Sequence, residues 1–166
     1  MAFIGLLSDT HTTFDSKLRE FFEGVDEVWH AGDFGNIETS DAIADFKPLR
    51  GVYGNCDGTD IRSVHPYMQL FELEGLRFLM MHIGGYPGRY DHRALQLIYA
   101  HNPDVFICGH SHILKIINDK PNGLISINPG AAGLQGFQQV RTALRFKVER
   151  GALHDMEVGE WSIIQS

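Results

Sequence analysis

The chain has 166 residues, of which 43% are hydrophobic and 21% are charged. This length is that of one ordinary domain with a substantial core, and this composition is typical of a globular protein. The formal net charge of −7 excludes a surface that broadly attracts nucleic acid or acidic lipid. An anionic ligand would need a local attraction that this count omits, such as a metal ion.

The cysteines and the amino-terminal segment indicate the compartment. Cys56 and Cys108 favour free thiols in a reducing environment over a disulfide. The first residues, MAFIGLLSDTH, have no basic leader and become polar at Ser8, so they predict a strand and not a signal peptide. No run approaches the roughly 20 apolar residues of a membrane span. We expect a cytoplasmic protein without membrane contact. The sequence leaves open whether the protein forms a homo-oligomer.

Alternating strands and helices are predicted over the first third of the chain. Short apolar runs predict the strands, and the second helix is expected to be capped by Thr39 or Ser40. The order β-α-β-α-β is typical of a parallel sheet. In chain order the segments are AFIGLLSD (2–9), FDSKLREFFEG (14–24), VDEVWHAGD (25–33), TSDAIADFK (39–47) and LRGVYGN (49–55).

The remaining segments are richer in strands. Two apolar runs flanking Glu74 and Gly75 predict a hairpin, and Asn102–Pro103 should end a helix. No linker or repeat interrupts the pattern, which predicts a single α/β domain over residues 1–166. In chain order the segments are YMQLFEL (67–73), LRFLMMHI (76–83), DHRALQLIYAHN (91–102), VFIC (105–108), HILKIIN (112–118), GLISIN (123–128) and RTALRFKVE (141–149).

Seven polar side chains follow predicted strands at the point where each strand ends. Ligands of open α/β sheets bind outside the carboxyl ends of the strands, so these side chains should converge on one edge if the strands share a sheet. Alternate residues, such as the two histidines of GHSH, also project to one side. The seven are Asp9, His11, Asp33, Asn55, His82, His110 and His112.

The chemistry of this set favours metal ions. Two carboxylates, four imidazoles and one amide oxygen suit borderline divalent ions. Four protein ligands per ion, with one shared carboxylate, would hold two ions, which is the arrangement of a two-metal phosphoester hydrolase. Each piece has a plainer alternative, because Asn55 could belong to a simple turn and His82 could be a core histidine. The joint pattern, with every member at a strand end, favours the metal site.

On these residues the chain resembles the calcineurin-like metallophosphoesterases. Its short length and its GNCD segment are similar to those of the small prokaryotic phosphodiesterase-like branch. The resemblance implies two mixed β-sheets packed as a sandwich and flanked by helices. The matching segments are Asp9–His11 (D-x-H), Gly32–Asp33 (G-D), Gly54–Asn55 (G-N), His82, Gly109–His112 (G-H-x-H) and Asn128–Ala131 (NPGA).

The resemblance also implies residue roles. Asp33 would bridge two ions and act in catalysis together with Asn55 and His82. The implied activity is a metal-dependent phosphoesterase, foremost a phosphodiesterase, in which a hydroxide activated by two ions attacks a small phosphoester. The implied cofactors are two divalent ions per chain, foremost Mn²⁺, with Ni²⁺, Co²⁺, Fe²⁺, Zn²⁺ and Mg²⁺ as alternatives. One ion is assigned to Asp9, His11, Asp33 and His112, and the other to Asp33, Asn55, His82 and His110.

The chain departs from the resemblance near the expected leaving group. Cys56 stands where phosphoprotein phosphatases of the superfamily carry a histidine, and Asp57 could donate a proton only with a raised pKa. We therefore expect substrates whose leaving group needs little help. Tyr86 and Arg89, in the loop after His82, are expected substrate contacts because a guanidinium can clamp phosphate, although an ordinary surface loop is the alternative.

The rival function is a non-catalytic scaffold for protein–protein interaction, like the retromer subunit that has this fold and decayed metal-site residues. None of the seven ligands is lost in this chain, which favours the enzyme. Among the other polar residues, His30 is predicted to be structural. The remaining four histidines, His65, His92, His101 and His154, are predicted to lie on the surface.

Overall fold

Two five-stranded sheets and four helices form the fold, and the structure, a computed structural model, describes residues 1–163. The last three positions of the predicted domain lie outside the described residues. The strands are β1 (Ala2–Leu7), β2 (Glu27–His30), β3 (Leu49–Gly51), β4 (Met68–Leu73), β5 (Leu76–Met81), β6 (Val105–Ile107), β7 (Leu114–Asp119), β8 (Leu124–Pro129), β9 (Val140–Glu149) and β10 (Ala152–Ser162). The helices are α1 (Ser16–Phe21), α2 (Ile37–Phe46), α3 (Thr59–Arg62) and α4 (His92–His101).

Both sheets are mixed. The first has the strand order β10-β9-β1-β2-β3, in which β1, β2 and β3 are parallel. The second has the order β4-β5-β6-β8-β7, in which β5, β6 and β8 are parallel and β4 and β7 form antiparallel edges. The predicted class, an α/β fold with two mixed sheets, is therefore confirmed.

The two sheets pack face to face between layers of helix. Trp29 of β2 meets Phe71 and Phe78 of the β4–β5 hairpin edge-on, with ring centroids 5.0 Å apart in both pairs. Since side chains alternate across a strand, Leu6 faces this central core while Leu7 packs against α1 and α2 on the outer face. Helix α4 covers the outer face of the second sheet. Within residues 1–163, no helix has the length and apolar character needed to cross a bilayer.

Helix α2 begins earlier than the sequence pattern predicts. Its cap is Asn36, whose side-chain oxygen accepts a hydrogen bond from the backbone N–H of Thr39 at 2.9 Å. The predicted caps, Thr39 and Ser40, lie inside the first turn and are buried. The prediction was wrong because asparagine caps helices as well as serine and threonine do. Ile37 is the single apolar residue in the first turn, which makes the start of the helix hard to recognise.

Strand β10 is absent from the predicted elements. It pairs antiparallel with β9 and changes register between His154 and Glu157. That irregularity breaks the alternation of apolar and polar residues by which a half-buried strand is recognised, and most side chains of this edge strand are exposed. Helix α3 was also unpredicted, because four residues carry little periodic signal.

Candidate metal centre

The seven predicted ligands come from both sheets. Loops after β1, β2 and β3 carry four of them, and the ends of β5 and β6 carry the other three. These strands do not share one sheet, which was the condition given for convergence, but belong to the two sheets that the resemblance implies. The parallel strands of two packed sheets end on the same side of the sandwich, so that the ligands meet across it.

Six of these side chains form two groups, and within each group the ligand atoms lie within 4.8 Å of one another. Each group joins residues from both sheets. Asn55 lies beside the second group, with its Oδ1 3.1 Å from His110 Nδ1. The first group is Asp9, His11 and His112, and the second is Asp33, His82 and His110.

Two carboxylates lie at the middle of this arrangement. Asp9 Oδ1 is 3.2 Å from His112 Nε2 and 3.8 Å from the Nε2 atoms of both His11 and His82. Asp33 Oδ2 is 3.1 Å from His82 Nε2 and 3.8 Å from His11 Nε2. The two carboxylates thus face the same imidazoles, which is the arrangement that a shared ion-binding site requires.

Two buried atoms at this centre have no hydrogen-bond partner among the described residues. They are Asp9 Oδ1 and His82 Nε2, and the second is close to Asp33 Oδ2 without forming a hydrogen bond to it. Buried polar atoms are almost always hydrogen-bonded, because an unsatisfied one costs about 1–3 kcal/mol. A cation between them would satisfy both, so these residues fit a divalent metal ion.

The protein occupies one oxygen of each carboxylate and leaves the other free. Asp9 Oδ2 accepts hydrogen bonds from Ser8 Oγ at 2.6 Å and from the backbone N–H of His110 at 3.0 Å. Asp33 Oδ1 accepts the backbone N–H of Cys56 at 2.9 Å. Both carboxylates are therefore fixed in orientation, with the second oxygen directed at the imidazoles.

Two histidines are oriented in the same way. His82 Nδ1 donates to the backbone oxygen of Ala31 at 2.7 Å, and His112 Nδ1 donates to Gln138 Oε1 at 2.8 Å. Since an imidazole with its proton on Nδ1 presents a lone pair at Nε2, these partners select the tautomer that binds a metal through Nε2. Gln138 carries no signal that would have marked it in the sequence.

The backbone is strained at five of the seven ligands. Positive φ angles place these non-glycine residues in the left-handed region, which L-residues rarely adopt. Such strain persists only where the surrounding structure enforces it, and it clusters at functional sites. The residues are Asp9 (φ 52°), His11 (φ 43°), Asp33 (φ 63°), His110 (φ 73°) and His112 (φ 65°).

Close packing explains two glycines of the sequence pattern. A Cβ atom on Gly54 would overlap the side chain and backbone of Asp33, and one on Gly109 would overlap Ser8 Oγ and approach Asp9 Oδ2. The glycines before Asn55 and His110 therefore allow the loops of different strands to touch at the carboxylates. A side chain at either position would force the neighbouring carboxylate or its loop to move.

Asp57 has a role that the sequence did not reveal. Its buried carboxylate accepts four backbone N–H groups, from Asp33 (2.9 Å), Phe34 (3.2 Å), Gly35 (3.1 Å) and Gly54 (2.8 Å). These bonds join the loop after β2 to the loop after β3. Because backbone N–H groups occupy its oxygens, Asp57 holds the two loops together and is not directed at a substrate.

Three stacked rings lie beside the metal centre. Phe34 lies between His30 and His65, with ring centroids at 3.6 and 4.6 Å and nearly parallel planes. His30 Nδ1 accepts the N–H of Gly32 at 3.0 Å, and His65 Nε2 pairs with Ser40 Oγ at 2.8 Å. His30 is therefore structural, as predicted. The surface assignment of His65 is wrong, because its ring is buried.

Charge and burial perturb several pKa values at the centre. Burial alone would raise the pKa of Asp33, but the adjacent His82 imidazole and the N–H of Cys56 hold it well below its ordinary value. The Asp9 carboxylate raises the pKa of His112. Burial, and then the charge of Asp33, raise the pKa of the Cys56 thiol, which is therefore protonated at neutral pH. Cys108 is fully buried, and its pKa is raised to about 12.

A cleft of about 230 Å³ adjoins the centre at His110. Its walls include both predicted substrate contacts, Tyr86 and Arg89, together with Lys115 of β7. The Lys115 ammonium lies 3.6 Å from the centre of the Tyr86 ring. Cys56 and Asn55 instead line a second opening, which contains His11 and His112.

Comparisons with known proteins agree with this geometry. A probable metallophosphoesterase of Mycoplasma pneumoniae is 30% identical over 158 residues, which cover 91% of this chain and 92% of that protein. A probable metallophosphoesterase of Methanocaldococcus jannaschii is 29% identical over 134 residues, covering 77% of this chain and 67% of the relative. Among solved structures, a Vps29 single mutant from Entamoeba histolytica has a TM-score of 0.74 at 17% identity, covering 96% of this chain and 98% of that one.

A second solved structure, that of a novel archaeal phosphodiesterase, has a TM-score of 0.67 at 22% identity, and the match covers 94% of this chain and 99% of that one. At these identities the two structures show a shared fold alone. The sequence itself matches the calcineurin-like phosphoesterase superfamily domain over residues 2–151. Together with the metal-binding groups of the two sheets, this match shows that the chain belongs to the calcineurin-like phosphoesterase superfamily, a family of metal-dependent hydrolases.

Proposed function

We propose that the protein is a phosphodiesterase that acts on small phosphoesters and uses two divalent ions, foremost Mn²⁺. The observation that carries the proposal is the pair of carboxylates facing shared imidazoles, with Asp9 Oδ1 and His82 Nε2 buried and without a hydrogen-bond partner. Asp9, His11, Asp33 and His112 would hold one ion. Asp33, Asn55, His82 and His110 would hold the other. When bound, the ions supply Lewis acidity, which neutralises phosphate oxygens and lowers the pKa of water.

The protein's own residues prepare the site before any substrate arrives. Ser8 and the N–H of His110 fix Asp9, while the N–H of Cys56 fixes Asp33. Because these carboxylates and the oriented imidazoles are already in place, little reorganisation is needed when charge develops on the phosphate. The role of Asn55 is to complete the second group beside His110.

The kind of leaving group follows from the groups at and near the opening. The Cys56 thiol has a raised pKa, and the Asp57 carboxylate is occupied by four backbone N–H groups. Neither is an effective general acid, because the raised pKa makes the thiol a weak proton donor and the backbone engages the carboxylate. A phosphoester whose leaving group is already stable is the substrate that such a site can cleave.

The test begins with chelator-treated protein and bis(p-nitrophenyl) phosphate. We expect no hydrolysis by the metal-free protein, restored hydrolysis on addition of Mn²⁺, and a calorimetric stoichiometry of two ions per chain. A single bound ion would contradict the two-metal site. If none of the predicted divalent ions restored hydrolysis, the result would favour the alternative function, a scaffold for protein–protein interaction. The fold that this chain shares with the Vps29 structures is compatible with that alternative.

A further inference from the structure

The cleft beside His110, lined by Tyr86, Arg89, Ser111 and Lys115, contains two cations that form no ion pair. Within residues 1–163, neither the Arg89 guanidinium nor the Lys115 ammonium pairs with a carboxylate. Two cations thus line one cleft of a chain whose net charge is −7. Their arrangement favours an anionic ligand.

The position of Lys115 follows from the sheet. Lys115 of β7 is opposite Asn128 of β8, and directly opposed residues in an antiparallel pair share one face. Asn128 Nδ2 donates to the backbone oxygen of Gly109 at 3.0 Å, next to His110. Lys115 therefore lies on the face of the sheet that carries Asn128, and its ammonium contacts the ring of Tyr86 in the cleft at 3.6 Å.

Ser111 adds a neutral donor to the same cleft. Its Oγ accepts hydrogen bonds from Asn128 Nδ2 at 3.1 Å and from the backbone N–H of Ile113 at 3.2 Å. A hydroxyl that accepts twice still has its own proton to donate, and among the described residues that proton has no acceptor. The cleft therefore presents a hydroxyl, an ammonium and a guanidinium.

One carboxylate also lines the cleft, but it is engaged elsewhere. Asp91 Oδ2 accepts the backbone N–H groups of Arg93 (3.1 Å) and Ala94 (3.2 Å) and so caps helix α4. Its charge is directed at the first turn of the helix. It reduces the positive potential of the cleft without occupying either cation.

We propose that this cleft binds a second phosphoryl group on the substrate, so that the preferred substrates are phosphoesters that carry another phosphate close to the scissile one. The inference rests on the proposed function, because it takes the phosphoryl group at the metal centre as the first. Arg89 supplies the planar donor fork that phosphate oxygens accept in pairs, and Lys115 and Ser111 supply single donors. Neither Lys115 nor Ser111 stands out in the sequence as a substrate contact.

The test measures binding and needs no turnover. Calorimetry with the Mn²⁺-loaded protein compares adenosine 5′-monophosphate with adenosine 5′-diphosphate and adenosine 3′,5′-bisphosphate, under excess buffered Mn²⁺. We expect at least one of the two bisphosphorylated nucleotides to bind about tenfold more tightly than the monophosphate, the increment of a charge-assisted hydrogen bond at a partly exposed site. In the Arg89→Ala/Lys115→Ala variant the affinity ratio should fall to about one.

A matched control removes the same charge elsewhere. The variant Lys17→Ala/Lys120→Ala loses two exposed cations that do not line the cleft, and its affinity ratio should equal that of the wild type. The proposal is overturned if neither bisphosphorylated nucleotide binds more tightly than the monophosphate, or if the preference persists in Arg89→Ala/Lys115→Ala. A lack of hydrolysis would instead count against the proposed function, because the binding ratio does not depend on turnover.

Discussion

The metal centre and the neighbouring stack of His30, Phe34 and His65 both bury imidazole rings, yet they treat the ring nitrogens differently. In the stack the protein supplies partners, namely Gly32 and Thr10 for His30 and Ser40 for His65. At the metal centre Nδ1 of His82 has a partner, whereas its Nε2 faces two carboxylates and forms no hydrogen bond. In the stack, neutral groups are the partners of the imidazole nitrogens, which suits a structural histidine, whereas His82 keeps a free Nε2 beside carboxylates, which suits a candidate ligand.

The pKa values divide in the same way. Burial is the main cause that lowers the pKa values of His30 and His65, which are therefore neutral in the folded protein. At the metal centre burial alone would lower the pKa of His82, but the Asp33 and Asp9 carboxylates raise it above its ordinary value. The same desolvation acts on both regions, and the nearby carboxylates decide the outcome.

The largest effect is expected from a substitution of Asp33, the carboxylate proposed to be shared by both ions. Asp33→Asn should lower kcat/KM for bis(p-nitrophenyl) phosphate by more than about 10²-fold, beyond the loss typical of a residue that only orients a ligand. The amide removes the charge that faces His11 and His82. Cys56→Ser is the matched control in the adjoining loop, and its activity should stay within a few fold of wild type. Equal impairment of the two folded variants would refute the bridging role.

The next effect tests whether any histidine outside the metal centre donates a proton. The lowered pKa values of His30 and His65 keep both rings neutral, so the stack supplies no imidazolium that could protonate a leaving group. We therefore expect kcat/KM to fall steeply as the leaving group of a phosphodiester becomes more basic. Alkyl esters should be slower than aryl esters by at least the roughly 10²-fold that a general acid contributes. The measurement is a series of methyl aryl phosphates of rising leaving-group pKa. A flat dependence would reveal a donor among the residues assigned to structure.

A smaller effect concerns the carboxylate that joins the two regions. Asp57→Ala should weaken Mn²⁺ binding about 10–100-fold, because Asp57 holds the loops that carry Asp33 and Asn55. The variant should also lose roughly 2–4 kcal/mol in its free energy of unfolding, since four N–H groups lose their acceptor. Calorimetry of Mn²⁺ binding and denaturant unfolding measure the two quantities. Asp60→Ala, with an exposed carboxylate outside this network, is the control. Unchanged Mn²⁺ affinity in a folded Asp57→Ala protein would show that the loops keep their positions without it.

The smallest effect sharpens the comparison by pH. A histidine whose folded pKa lies below its unfolded value stabilises the fold fully above the unfolded pKa of about 6.5, and this contribution is lost as the pH falls below that value. The metal-free protein should therefore lose on the order of 1 kcal/mol per stacked histidine between pH 7 and pH 5. In His65→Gln the pH slope of the unfolding free energy should be shallower by one histidine. The control variant His154→Gln replaces an exposed histidine and should have the slope of the wild type. If the wild type and both variants had the same slope, His65 would not contribute to the pH dependence of stability.

The sequence predicted the ligands because each metal-binding residue type stands at the end of an apolar run. The apolar runs depend on local alternation and burial, which are visible in the residues themselves, and so β1 to β9 were recognised. Strand β10 was missed because its irregular register erases that alternation. The cap of α2 was misplaced because Asn36, Thr39 and Ser40 are all capable caps, and the sequence alone does not rank them.

The sequence by itself determined the set of ligand types and their order along the chain, since these follow from local pattern and from the chemistry of carboxylate and imidazole. Only the tertiary structure decided that the ligands come from two sheets, because strand order and sheet membership depend on contacts between distant segments. It also decided the roles of Asp57, Gln138 and Lys115. Each of these residues acts through a partner far away in the chain or across a sheet, and no local pattern records such a partner.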